Sequence, residues 1–330
     1  MPRSSLAYTS FLVTLSAIAL AACSKPAEAP KEEAAPPAPA PVAEAPPPPK
    51  PENAHAFKIG ELSAWAVRDG ALKFPNDEKI FGLGKTPDEV NAVLTAAGLP
   101  TDQLELGLQP LVVKSGDKVL LFDTGAAANF GPGNGLLPTS LGEAGIEPAA
   151  VTDIFISHVH GDHVGGLVDA QGALAFPNAT IHIQKAEWKF LTTMKPDLAK
   201  MIGLGTRDAL VAAMKPKVDA FAPGAELVKG VVKAVDVKGH TPGHSAYRIT
   251  SGSDSILYVG DSMHHSVISV EKADWPMAFD ADQKVGAASR VALVNELAKS
   301  GERVYAVHFP FPGIGKIQKT GDVPTWVPEP

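Results

Sequence analysis

The chain has 330 residues, 45% hydrophobic and 20% charged, the composition of an ordinary globular protein of one large domain or two small ones. A net charge of −7 with no basic stripe excludes a nucleic-acid footprint. A single cysteine excludes internal disulfides.

In chain order, Arg3 supplies a short positive region and Leu6 to Leu20 an apolar run. The run is shorter than the ~20 residues of a comfortable membrane span and fits a secretory signal peptide over residues 1–22. It closes with Leu20-Ala21-Ala22-Cys23, which resembles the lipobox of bacterial lipoproteins. The resemblance implies an acylated Cys23 and an exported, membrane-anchored protein of the periplasm or outer membrane. Ser24 in place of Asp resembles the outer-membrane sorting pattern. The remainder of residues 23–54 is almost entirely Ala, Pro, Glu and Lys, with four prolines at 46–49. Such a segment buries no core and reads as a partly stiff tether, which leaves residues 55–330 as the folded domain.

The domain pattern starts near Phe57. Ile59 to Val67 alternates around Leu62 and Trp65 and predicts one strand. Thr86-Pro87-Asp88-Glu89 is a helix start, with the helix ending near Gly98. Leu108 to Lys114 and Lys118 to Phe122 predict a hairpin turning at Ser115-Gly116-Asp117, and Asp123-Thr124-Gly125 ends it. Asp153 to Ser157 reads as a buried strand. Thr180 to Gln184 predicts a strand running into a helix at Ala186 to Thr193, and Asp208 to Met214 another helix. Val231 to Val237, Ala246 to Thr250 and Ser255 to Val259 predict strands, Ala287 to Ser300 a helix, and Arg303 to Phe309 a last strand. Hairpins followed by mixed strands and helices predict an α+β fold of two packed sheets with helices outside.

The most informative stretch is His158-Val159-His160-Gly161-Asp162-His163, with three imidazoles and a carboxylate in six residues. Strand periodicity puts His158 and His160 on one side, with Asp162 following if the chain stays extended; a turn at Gly161 brings in His163 from another angle. This differs from the helical i, i+4 spacing of a zincin. Three more strand ends add His240 in Gly239-His240-Thr241-Pro242-Gly243-His244, Asp261 in Gly260-Asp261-Ser262, and His308. Five His and two Asp suit two metal ions with open positions for water and substrate. His244 reads as a supporting or core histidine, and His182 as structural. His264 and His265 are candidates to line the pocket, and Phe130, Trp188 and Phe190 to form its apolar wall.

From about residue 57 onward these motifs resemble the metallo-β-lactamase-fold hydrolases, a four-layer αβ/βα sandwich. The resemblance implies that His158, His160 and His240 hold one metal and Asp162, His163 and His308 the second. Asp261 bridges both, and Asp123 supports the site without ligating. Class B1 β-lactamases need a Cys ligand, class B3 enzymes lack the bridging Asp, and flavo-di-iron proteins put Glu where His160 stands. Phe122 to Ala127, Asn129 to Pro132, Ala175 to Ala179 and Phe311 to Gly315 resemble methyl parathion hydrolase, whose relatives include lactonases. Lys316 departs from that subgroup, where a His is expected in the final loop.

The reading is a small-molecule hydrolase of phosphotriester or lactone type, with glyoxalase-II-like thioester hydrolysis or non-catalytic metal binding as alternatives. Two cations ~3.5–4 Å apart would share an attacking hydroxide, with Asp162 and Asp261 the catalytic carboxylates. The absence of thiolates favours Zn, with Mn, Fe or Co compatible. Relatives of this type often dimerise, which leaves a homodimer open.

Overall fold

The computed structural model describes residues 52–77 and 79–330. The expected signal peptide, Cys23 and the tether up to residue 51 lie outside the described residues.

The first sheet holds β1 (Ala54–Ile59), β2 (Leu62–Val67), β5 (Leu111–Ser115), β6 (Lys118–Phe122), β7 (Asp153–Phe155), β8 (Thr180–Gln184) and β9 (Val218–Phe221), in that spatial order. Between β2 and β5 the chain makes a separate ribbon of β3 (Gly70–Pro75) and β4 (Gln103–Leu108). The second sheet runs β10 (Glu226–Val228), β11 (Val232–Asp236), β12 (Ser245–Ser251), β13 (Asp254–Tyr258), β14 (Arg303–Tyr305), β15 (Ile314–Thr320) and β16 (Val323–Pro328). The helices are α1 (Pro87–Ala96), α2 (Leu137–Glu143), α3 (Gly161–Val164), α4 (Lys185–Thr193), α5 (Pro196–Met201), α6 (Arg207–Met214), α7 (Ile268–Glu271) and α8 (Gln283–Ser300).

The sheets pack because their strands are apolar on both faces. In β6, Leu120 and Phe122 belong to the core between the sheets, whereas Val119 and Leu121 belong to the core under the outer helices. This is the period-two pattern of a sheet covered on both sides. The inter-sheet core joins Phe122 and Phe155 of the first sheet to Tyr247, Tyr258 and Tyr305 of the second. Each fully buried large apolar side chain contributes roughly 1.5–3 kcal/mol. Phe122 and Phe155 also stack at 4.9 Å. Leu141, Leu191, Leu210 and Met214 cover the outside of the first sheet, and Leu293, Val294 and Leu297 of α8 cover the second. The result is helix, sheet, sheet, helix, the four-layer αβ/βα sandwich expected from the sequence.

Several boundaries differ from expectation. Ile59 to Val67 is not one strand, because Gly60 at φ +52 turns the chain between β1 and β2. Leu108 to Lys114 is interrupted at Gln109-Pro110, so β4 and β5 belong to different sheets. The last predicted strand ends at Tyr305, and β15 and β16 follow it. Lys316 lies inside β15, opposite Val327, and not in a loop. Helix α8 begins earlier than predicted, where the Asp282 carboxylate accepts from Val285 N–H at 3.0 Å, and it ends at Gly301 in the left-handed conformation.

Candidate metal centre

Parallel pairing of β6 with β7, and of β13 with β14, brings their C-terminal ends to one edge of the sandwich. Asp123, the His158 loop, Asp261 and His308 follow those four strands, and His240 lies on the β11–β12 connection. Beyond His160 the chain does not stay extended. It enters α3 at Gly161, and this helical turn, not strand alternation, separates Asp162 and His163 from His158 and His160.

All seven predicted residues come together. His240 Nε2 lies 3.2 Å from His158 Nε2 and 2.9 Å from His160 Nδ1. Asp261 Oδ2 approaches this group at 3.2 Å from His240 Nε2 and 3.5 Å from His158 Nε2. Its other oxygen, Oδ1, lies 3.0 Å from both His163 Nε2 and His308 Nε2. Asp162 Oδ2 completes the second group at 3.6 Å from His163 Nε2 and 3.7 Å from His308 Nε2.

Nitrogen lone pairs do not attract one another, so such convergence needs a cation or protons between them. His163 Nε2, His308 Nε2 and Asp261 Oδ1 are buried and make no well-formed hydrogen bond, a costly arrangement that a cation between them relieves. The ligand atoms of His158, His160, His240 and Asp261 lie within 4.8 Å of one another, as do those of Asp162, His163 and His308. Nitrogen and carboxylate donors without thiolate fit a borderline divalent ion.

A second tier of groups holds the rings from behind. Asp123, itself at φ +57, accepts from Ser157 N–H at 2.7 Å, Ser157 O–H at 2.6 Å and Tyr258 O–H at 2.7 Å, and faces His163 Nδ1 at 2.7 Å. His308 Nδ1 donates to Gly107 O at 2.8 Å. His240 Nδ1 faces Asp280 Oδ1 at 3.2 Å, and Arg290 contacts the other Asp280 oxygen at 3.3 Å. His244 is not part of the ligand groups. Its Nε2 accepts from Asp261 N–H at 2.9 Å, so its Nδ1–H donates to Val237 O at 3.1 Å. Gly125 meets a steric need, because a Cβ there would lie 2.4 Å from the Asp69 carboxylate.

Without a cation the carboxylates draw protons onto the rings. Burial opposes charge on His163, but Asp261, Asp162 and Asp123 outweigh it and push this imidazole well above its ordinary range. His240, also opposed by burial, is pushed up to about 9 by Asp261 and Asp280. Burial, reinforced by the His163 charge, holds His158 well below the ordinary range. Burial resists ionisation of Asp261, but the surrounding imidazoles hold it well below the usual carboxylate range.

A sequence-family model described as the metallo-beta-lactamase superfamily matches residues 110–296, more than half of the chain. The chain belongs to the metallo-β-lactamase superfamily. It is similar to AidC, a dizinc quorum-quenching lactonase solved with a product, N-hexanoyl-L-homoserine. Identity is 29%, the TM-score is 0.79, and the match covers 86% of this chain and 99% of AidC. It is also similar to AbOPH, a hydrolase of the same superfamily, at 26% identity and TM-score 0.76, covering 84% of this chain and 98% of AbOPH. A probable metallo-hydrolase of Mycobacterium tuberculosis is 25% identical over 178 residues, 50% of this chain and 53% of the relative. The chain thus spans about half the length of the curated relatives it matches.

The superfamily centre opens into a cavity of about 380 Å³. Leu72, Phe74 and Leu106 of the β3–β4 ribbon give it an apolar wall, joined by Phe279, whose ring lies 5.6 Å from that of Phe74, and Ile202 and Phe130 also line it. Phe130 is 47% exposed at the mouth. Trp188 and Phe190 do not line it; they pack on the core outside the first sheet, because α4 turns that face inward. His264 does line it. Its Nε2 lies 2.9 Å from Asp261 Oδ2, and neither ring nitrogen has a hydrogen-bond partner. His265 instead borders a neighbouring cavity of about 450 Å³, beside Asp102 and Glu105. His182 is structural, held by Asp153 at 2.9 Å.

Sequence reasoning missed two buried acids, Asp280 and Glu187. Glu187 sits in the first turn of α4, where an acid reads as a complement to the helix dipole, so nothing in its local sequence marked it.

Proposed function

We propose that this protein is a dinuclear metal-dependent hydrolase of lactones that carry an apolar acyl arm. The observation that carries the reading is one carboxylate, Asp261, facing two ligand groups with its two oxygens, at the floor of an apolar-walled cavity. The likeness to AidC supports the lactone as substrate class.

His158, His160 and His240 would hold one cation, Asp162, His163 and His308 the other, with Asp261 between them. When bound, the ions, taken as Zn, would polarise the ester carbonyl and lower the pKa of a water toward ~7. The chain's own residues do the rest. The apolar walls seat the acyl arm and shed water from it, which points the ring carbonyl at the floor. Asp162 borders the open cavity with its side chain 11% exposed. Its carboxylate takes the proton from the attacking water and passes it to the ring oxygen as the carbonyl carbon–oxygen bond breaks. A lactone opens to a single hydroxy-acid product, so no separate leaving group needs a second pocket. The methyl parathion hydrolase-like stretches favour phosphotriester cleavage as a side activity of the same centre. We also propose that residues 1–22 are removed on export and that acylated Cys23 anchors the domain, which metabolic palmitate labelling of the wild type against Cys23→Ser tests.

The deciding experiment compares kcat/KM of the Zn-loaded protein on a long-chain N-acyl homoserine lactone and an aryl phosphotriester. A clear lactone preference is expected. A clear phosphotriester preference, or no turnover of either, contradicts the reading.

A further inference from the structure

Glu187 touches no ligand side chain, yet it ties together the two loops that carry the first ligand group. Its side chain is fully buried. Val159, the residue between His158 and His160, donates its N–H to Glu187 Oε1 at 2.9 Å. On the His240 loop, Thr241 O–H and Gly243 N–H donate to Glu187 Oε2 at 2.8 and 2.9 Å. The loops are far apart in sequence, with His158 and His240 separated by 82 positions. One carboxylate therefore sets the spacing of two chain segments by accepting from both. The approach is close as well, since a Cβ on Gly243 would lie 2.3 Å from Glu187 N. The second ligand group has holders of its own: His163 is held by Asp123 and His308 by Gly107 O.

We infer that Glu187 is the positioning residue of the first metal position, fixing the His158–His160 loop against the His240 loop so that three imidazoles converge before an ion arrives. Orienting hydrogen bonds of this kind typically change metal affinity by about 10–100-fold when removed. Glu187→Gln keeps the shape but presents an amide N–H₂ to donors that need an acceptor. The inference rests on the two-position reading of the centre and is independent of the substrate.

The test is a Co²⁺ titration of the metal-stripped full chain, followed by visible d–d absorption and calorimetry, in wild type, Glu187→Gln, His308→Ala and the double variant. His308→Ala disables the second position and leaves the first to be read alone. The expected result is two constants in the wild type, of which Glu187→Gln weakens one by about 10–100-fold and leaves the other within about twofold. In the His308→Ala background the remaining ion is weakened to the same degree, with a changed d–d spectrum. An unchanged remaining constant overturns the inference, and so does equal weakening of both constants, which marks a general fold effect. Failure of the wild type to bind cobalt would instead overturn the reading of the centre itself. If Glu187→Gln does not fold, Thr241→Val removes one donor and keeps the carboxylate; it should weaken the same ion, and no effect there counts against the inference.

Discussion

At the scale of single residues the centre is organised around Asp261. Its two oxygens lie within 3.5 Å of five imidazoles, those of His158, His163, His240, His264 and His308. An Asp261→Ala variant removes the group shared by both ligand sets, so it should lower metal content and turnover together, the latter by a factor on the order of 10² or more. Elemental analysis beside kcat/KM checks this, and full activity with a normal metal load would remove Asp261 from its bridging role. The seven site residues were legible because dense His and Asp at strand ends has few uses besides coordination. The groups behind them were not. Glu187 and Asp280 stand alone in their local sequence, and what they do depends on long-range packing. Asp123 was legible only through the Asp-Thr-Gly motif.

At the scale of elements the cavity is made by pieces that the hydrophobic pattern marks poorly. The β3–β4 ribbon supplies Leu72, Phe74 and Leu106, but Gly70 and Pro75 bound β3, and the partner strand lies beyond α1, so no short hairpin signal exists. At the far edge, β16 carries Pro324 and Pro328, which read as turn residues yet are tolerated on an edge strand. The strands flanking the site were readable because both faces are buried and their apolar runs are nearly continuous. Phe130 sits on the loop after β6, at φ +63, with its ring over Gly203 at the cavity mouth. Phe130→Ala should reduce kcat/KM for a long-chain acyl lactone by about tenfold while changing a lactone without an acyl arm little. Equal loss on both substrates would assign Phe130 to the fold and not to acyl recognition.

At the scale of the whole molecule the centre couples folding, protons and metal. Against the opposing effect of burial, Asp261 and Asp280 push His240 of the metal-free protein up to about 9 from its ordinary 6.5. A raised folded value means that the protonated ring stabilises the fold fully below about 6.5 and that this contribution is lost as pH rises through about 9. Chelated protein should therefore melt at a lower temperature at pH 9.5 than at pH 7. Added Zn²⁺ should raise the melting temperature more at pH 9.5, because fewer protons must leave. A metal-free melting temperature that rises across that window would contradict the assignment. The most direct test of the central claim is one titration that follows both metal content and hydrolysis of an N-acyl homoserine lactone, as Zn²⁺ is returned to stripped protein. The account predicts no turnover without metal and full turnover at two ions per chain. Turnover in the stripped protein, or full turnover at one ion with no second bound, would contradict it.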